Sequence, residues 1–171
     1  MVKLWNRWNL SGWYKMAINL VSIDGSTKKT GISHFLDGEY VNHYLLDYSK
    51  DKDAENRFGA MSLGIWNVLD KIRPNIIYIE ETYMHNNAQT MKTLTRLQGV
   101  VYAWCINNDC SFNTITPKAW RKLLDFNQGK EVKREQAKIQ SIEYVKNNYN
   151  MVVSDDEADA ICISAAICKK Q

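Results

Sequence analysis

The chain has 171 residues, 45% of them apolar and only two of them proline, which is enough to bury one core and too little for two. Its formal charge of +3 is far from that of an arginine-rich nucleic-acid tail, so composition alone names no partner. No stretch approaches the ~20 consecutive apolar residues of a membrane helix and the N-terminus lacks the apolar core of a secretory signal, so an intracellular protein with no membrane partner is expected.

Residues 1–15 hold three of the six tryptophans without a helical or strand period, and read as an N-terminal extension of unknown role preceding a single domain over 16–171. From Ala17 the run AINLVSI ends in Asp24-Gly25, a strand entering a turn. Two further strand-like runs flank Asp37-Gly38, a hairpin signal, so three adjacent antiparallel strands are predicted. Phe58, Met61, Ile65, Val68, Leu69 and Ile72 recur at helical spacing from about Asp53 until Pro74 stops them. IIYI then reads as a strand buried on both faces. A second helix is predicted from about Ala88 to Ile106 on the stripe Met91, Leu94, Leu97, Val101 and Trp104, followed by a fifth strand over Phe112 to Ile115. Thr116-Pro117 starts a helix, a polar loop surrounds Gly129, a long helix runs to about Asn148, and a last one opens at Ser154 or Asp155. This order implies a mixed sheet covered on both faces.

Four acidic residues occupy telling places in that order. Asp24 ends the first strand, Glu80 ends the fourth, and Asp156 and Asp159 share one face of the last helix, a face continued by Cys162, Ile163 and Ala166 and therefore turned inward. Inward carboxylates are costly unless something neutralises them, and hard divalent cations do so. Two such ions about 4 Å apart clamp a phosphodiester for in-line hydrolysis, one activating water and the other stabilising the leaving 3′ oxygen. Each motif alone has a plainer reading: Asp24-Gly25 as a turn, Glu80-Glu81 as a strand exit, Ser154-Asp155-Asp156-Glu157 as a helix N-terminus. The joint pattern is what points to a metal site. The four cysteines, Cys105, Cys110, Cys162 and Cys168, never form Cys-x-x-Cys and read as buried thiols, not zinc ligands.

At these residues the chain resembles the RuvC family of Holliday-junction resolvases, from about Asn19 to Ala166. SIDGSTKKTG is similar to the family's first strand and turn, IYIEETYM to its second acidic segment, NNAQTMKTLTRLQGVV to the helix that follows, and DEADAICIS to its terminal Asp-x-x-Asp-Ala signature. The resemblance implies an RNase H-like fold, a five-stranded mixed sheet (three antiparallel strands, then two parallel) with helices on both faces. It also implies Asp24, Glu80, Asp156 and Asp159 as catalytic metal ligands for two Mg2+ ions, with Mn2+ able to substitute. Its members act as homodimers that nick opposed strands of a four-way junction symmetrically. Tyr83 falls where the family carries an aromatic side chain that inserts near the crossover. Where the family carries a glycine-rich turn, this chain has Ser26-Thr27-Lys28-Lys29.

Between Pro117 and Lys138 seven basic residues face three acidic ones, a local charge of +4. Lys118, Arg121, Lys130, Lys133 and Arg134 are expected on DNA phosphates, with Lys133 matching the lysine that the family aims at the scissile phosphate and so counted as catalytic. Three other functions compete. An actin-like or sugar-kinase-like phosphotransferase shares IDGSTKKTG, but needs two domains to enclose a nucleotide, so no nucleotide cofactor is expected. A flap or fork nuclease would use the same carboxylates on other branched DNA, and a non-cleaving junction binder would have less reason to hold all four. The richness in lysine and asparagine fits a bacteriophage protein acting in a host cytoplasm.

Overall fold

The computed structural model describes residues 17–82 and 88–170. The expected N-terminal extension and Tyr83 lie outside them. Five strands, β1 (Asn19–Asp24), β2 (Lys29–Leu36), β3 (Glu39–Asp47), β4 (Ile76–Glu80) and β5 (Ser111–Ile115), form one sheet in the order β3-β2-β1-β4-β5. β1 pairs antiparallel with β2 and β2 with β3, whereas β4 lies parallel to β1 and β5 parallel to β4. This is the mixed sheet the sequence predicts. The β2–β3 hairpin turns at Asp37 and Gly38, whose φ values of 50° and 89° are both left-handed, the conformation that a two-residue turn between twisted strands requires.

Helix α1 (Ala54–Ile72) starts on Asp53, whose side chain accepts from Asn56 N, and ends at Arg73 ahead of Pro74. It pairs with α2 (Ala88–Asn107) on one face of the sheet, burying Met61, Ile65, Leu69, Leu97, Val101 and Trp104 against Val21, Ile23, Ile32, Ile77 and Ile79. On the other face lie α3 (Pro117–Leu123), capped by Thr116, α4 (Arg134–Tyr149) and α5 (Asp155–Lys170), packed on Leu20 and Phe35 with Ile76 and Tyr78 at the edge. Alternation along β1 and β4 thus sends successive residues to opposite cores, as expected for strands buried on both faces.

α5 is the central helix of its layer, buried at Ala158 and from Ala160 through Ile167. Four alanines, Ala158, Ala160, Ala165 and Ala166, let its backbone lie close to the sheet. A line of serines then fixes its register: Ser164 Oγ lies 2.8 Å from the hydroxyls of both Ser22 and Ser33, and Ser33 donates to the Ala160 carbonyl at 2.7 Å.

Candidate active site

The strand period of two carries Leu20, Ser22 and Asp24 to the α5 face of β1, and Ile76, Tyr78 and Glu80 to the same face of β4. Ile23 pairs with Ile79 in the parallel register. Asp24 and Glu80 are therefore the next residues of adjacent strands, at the carboxyl ends where ligand sites of such sheets form.

The start of α5 is brought over them by three features. Gly31, opposite Asp24 in the β2 register, passes directly under Asp156: a Cβ at position 31 would overlap the Asp156 carbonyl oxygen. Ser154 and Glu157 close a capping box, the carboxylate accepting from Ser154 N at 2.9 Å and from its hydroxyl at 2.6 Å. Outside that box, His43 Nε2 on β3 lies 3.3 Å from Glu157 Oε1 and Lys138 on α4 pairs with Asp155.

Four carboxyl groups consequently lie near enough for their charges to act on one another. Asp24 keeps some surface, yet protein surrounds its carboxyl densely. This desolvation, then the charges of Glu80, Asp159 and Asp156, push it well above the ordinary carboxylate range. Burial likewise pushes Glu80 up to about 7, with Asp159 adding to the rise and Trp120 and Arg121 opposing it. Asp159 is raised by burial against the pull of Ser141 and Arg121, and Asp156 by burial and the neighbouring Asp155. These directions describe a site that disfavours accumulated negative charge until a cation enters it.

Two residues that follow one another on α3 reach into this cluster. Trp120 donates its indole N–H to Glu80 Oε2 at 2.8 Å, and Arg121 Nη2 lies 3.6 Å from Asp159 Oδ2 with the guanidinium 4.7 Å over the Trp120 ring. Among the described residues no three acidic, histidine or cysteine side chains already share one point at ligand distance. The donor set is nevertheless one that hard divalent cations take, all carboxylate oxygen. Asp159 Oδ1 is moreover buried without a hydrogen-bond partner, an orphan that a cation would satisfy.

The expected site residues separate into two groups. Asp24, Glu80, Asp156 and Asp159 come together, and Arg121, expected on DNA, comes with them. Lys118 shares with Arg121 a cleft of about 410 Å³ between α3, the loop through Gly129 and α4. Lys130, Lys133 and Arg134 are exposed on that loop and at the start of α4, where Lys133 N donates to Gln136 Oε1 at 2.8 Å. Arg134 is close enough to Lys138 to act on its charge, which places this basic edge beside the start of α5. Sequence reasoning missed Trp120, Gly31 and Gln98, which donates to the Glu80 carbonyl at 3.0 Å.

The family model described as "Crossover junction endodeoxyribonuclease RuvC" matches residues 20–169. The chain belongs to the RuvC family. It is thus a nuclease of the crossover junction endodeoxyribonuclease class, and nucleases of the RuvC family use divalent metal ions. Thermus thermophilus RuvC, solved in complex with a Holliday junction substrate, superposes with a TM-score of 0.66 at 14% identity, over 86% of this chain and 91% of that one. A second structure of Thermus thermophilus RuvC gives 0.64 at 14% identity, over 86% and 92%. The yeast mitochondrial Holliday junction resolvase Ydc2 gives 0.55 at 16% identity, over 88% and 77%. The fold is RNase H-like, as the resemblance implied. No curated protein matches the chain. Among the described residues no helix is long and apolar enough to cross a membrane.

Proposed function

We propose that this RuvC-family protein is a magnesium-dependent, structure-selective endonuclease that resolves four-way DNA junctions by paired symmetric nicks. The observation that carries this reading is the closeness of Asp24, Glu80, Asp156 and Asp159, all with raised affinity for protons and with Asp159 Oδ1 left unpartnered. Those four residues would hold the metal. When bound, a pair of Mg2+ or Mn2+ ions supplies Lewis-acid stabilisation of the attacking and leaving oxygens.

The chain's own residues do the rest. Lys133 meets the scissile phosphate and offsets the charge that grows on it, while Lys118, Lys130 and Arg134 hold neighbouring phosphates with an affinity that falls as salt rises. Arg121 balances Asp159 from inside the site and borders the cleft that Lys118 lines. A water oxygen attacks phosphorus, the P–O3′ bond breaks, and the products are a 3′ hydroxyl and a 5′ phosphate. Tyr83 stacks near the crossover, and a homodimer sets two such sites on opposed strands.

The test is incubation of purified protein with labelled four-way junction, fork, flap and linear duplex, each with magnesium, manganese or chelator. Symmetric nicks confined to the junction and dependent on metal are expected. Equal cutting of flaps and forks replaces the junction assignment with a broader branched-DNA nuclease, and binding without cutting leaves a junction-binding protein.

A further inference from the structure

Trp120 has none of its surface exposed, although its indole N–H ends on a carboxylate of the acidic cluster. Phe126 meets its ring edge-on at 5.9 Å and the Arg121 guanidinium covers it at 4.7 Å, so the ring has no freedom to leave Glu80. Gln98, from α2 on the opposite side of the sheet, fixes the backbone of the same residue by donating to its carbonyl at 3.0 Å. Glu80 is thus held at both ends. A glutamate has three rotatable bonds, and freezing them in advance removes an entropic cost that a metal would otherwise meet on binding.

We propose that Trp120 is a positioning residue of the metal site: its indole N–H holds Glu80 Oε2 and thereby leaves Oε1 oriented for a divalent cation. The proposal rests on the reading of Glu80 as a metal ligand. An indole N–H only donates, so Trp120 neither ligates the metal nor takes a proton, and its whole contribution is geometric. Partners of this kind behind a ligating carboxylate typically govern metal affinity by 10–100-fold.

The fold supplies its own control. Trp104 on α2 is 1% exposed and donates its indole N–H to Asp70 Oδ1 at 2.9 Å, the same bond in the opposite core and away from the acidic cluster. A merely structural tryptophan at 120 would behave as Trp104 does.

The experiment measures Mn2+ binding to the full chain without DNA, by the electron paramagnetic resonance of free Mn2+, in the wild type and in Glu80→Gln, Trp120→Phe and Trp104→Phe. Trp120→Phe is expected to weaken Mn2+ binding by about 10–100-fold, with Trp104→Phe at the wild-type value. Benzothienylalanine at position 120, which exchanges the N–H for sulfur and keeps the ring shape, is expected to reproduce the loss in a folded protein if Trp120→Phe does not fold. Wild-type Mn2+ affinity in the position-120 variants, with Glu80→Gln impaired, overturns the positioning role alone. An equal loss in Trp104→Phe overturns it as well, because the effect is then general loosening. Wild-type affinity in Glu80→Gln removes the ligand reading, and the proposal with it.

Discussion

Against α1 and α2 the sheet presents Val21, Ile23, Ile32, Ile77 and Ile79, and the helices answer with side chains that are equally apolar. Against α5 it presents Leu20 and Phe35, but also Ser22 and Ser33 and, at the strand ends, Asp24 and Glu80, and the helix adds Ser164 to its buried alanines and isoleucines. Apolar contact is non-directional, so the first interface stabilises without defining a position to a fraction of an ångström. Hydroxyls bonded at 2.7–2.8 Å admit one register of α5 on the sheet. The acidic residues lie on the face whose helix is pinned, which is the precision a constellation of metal ligands needs.

The largest break in that comparison comes from removing one charge and keeping its shape. Asp24→Asn should lower magnesium-dependent cleavage by about 10³-fold or more, with junction binding retained in a gel-shift assay. Cutting at the wild-type rate would take Asp24 out of the site. Gly31→Ala should act in the same direction without touching an acid, because its Cβ meets the Asp156 carbonyl and displaces the start of α5. Strained packing of this kind costs about 1–3 kcal/mol, measurable in urea. A smaller effect is expected at the exposed basic edge: Lys133→Ala should slow cleavage by about 10²-fold while the dissociation constant for junction DNA changes little. Equal losses in rate and binding would make Lys133 an ordinary phosphate contact.

How much of this was legible depended on how far apart in sequence the partners are. Strand ends and helix faces are local, so Asp24, Glu80, Asp156 and Asp159 were readable from periods of two and 3.6, and the hairpin from Asp37-Gly38. Trp120 reads as core in a short helix and its bond to Glu80 spans 40 positions. Gly31 reads as a weak strand residue until α5, 125 positions later in the chain, lies over it. Arg121 was counted with the basic patch because a charge run shows sign and not direction. The serine line joins residues 131 and 142 positions apart and has no sequence signature at all.

The pH dependence of stability reports the crowding of the acidic cluster. In chelator, burial raises the folded-state Glu80 from 4.5 to about 7. A carboxyl with a raised folded value contributes stability in full below its unfolded value and loses it as pH rises through the folded one. Unfolding free energy should therefore fall between about pH 4.5 and 7, by on the order of 3 kcal/mol for Glu80. Asp24, Asp156 and Asp159 are shifted in the same direction. Arg96 holds the exposed Glu55 carboxylate and Lys138 holds Asp155 below the ordinary range, and burial lowers His34; these three act in the opposite sense. Urea midpoints across this range should show the decline, Glu80→Gln should flatten it, and magnesium at 100 times its dissociation constant should restore about 2.7 kcal/mol. A stability that rises from pH 5 to 7 in chelator would contradict the crowding of these carboxyls.

The smallest effect is also the sharpest test of why α5 is pinned. Ile65→Val, a fully buried change in the apolar interface, should cost about 0.5–1.5 kcal/mol and leave the cleavage rate per folded molecule unchanged. Ser164→Ala should cost about 1–3 kcal/mol, because it leaves the buried Ser22 and Ser33 hydroxyls short of a partner. The two costs overlap, so stability alone does not distinguish them. If the serines set the register of Asp156 and Asp159, Ser164→Ala should also raise the magnesium concentration needed for half-maximal cleavage, measured well below the unfolding temperature. An unchanged magnesium requirement would mean that Gly31 and the Ser154–Glu157 capping box position the start of α5 without help from the serine line.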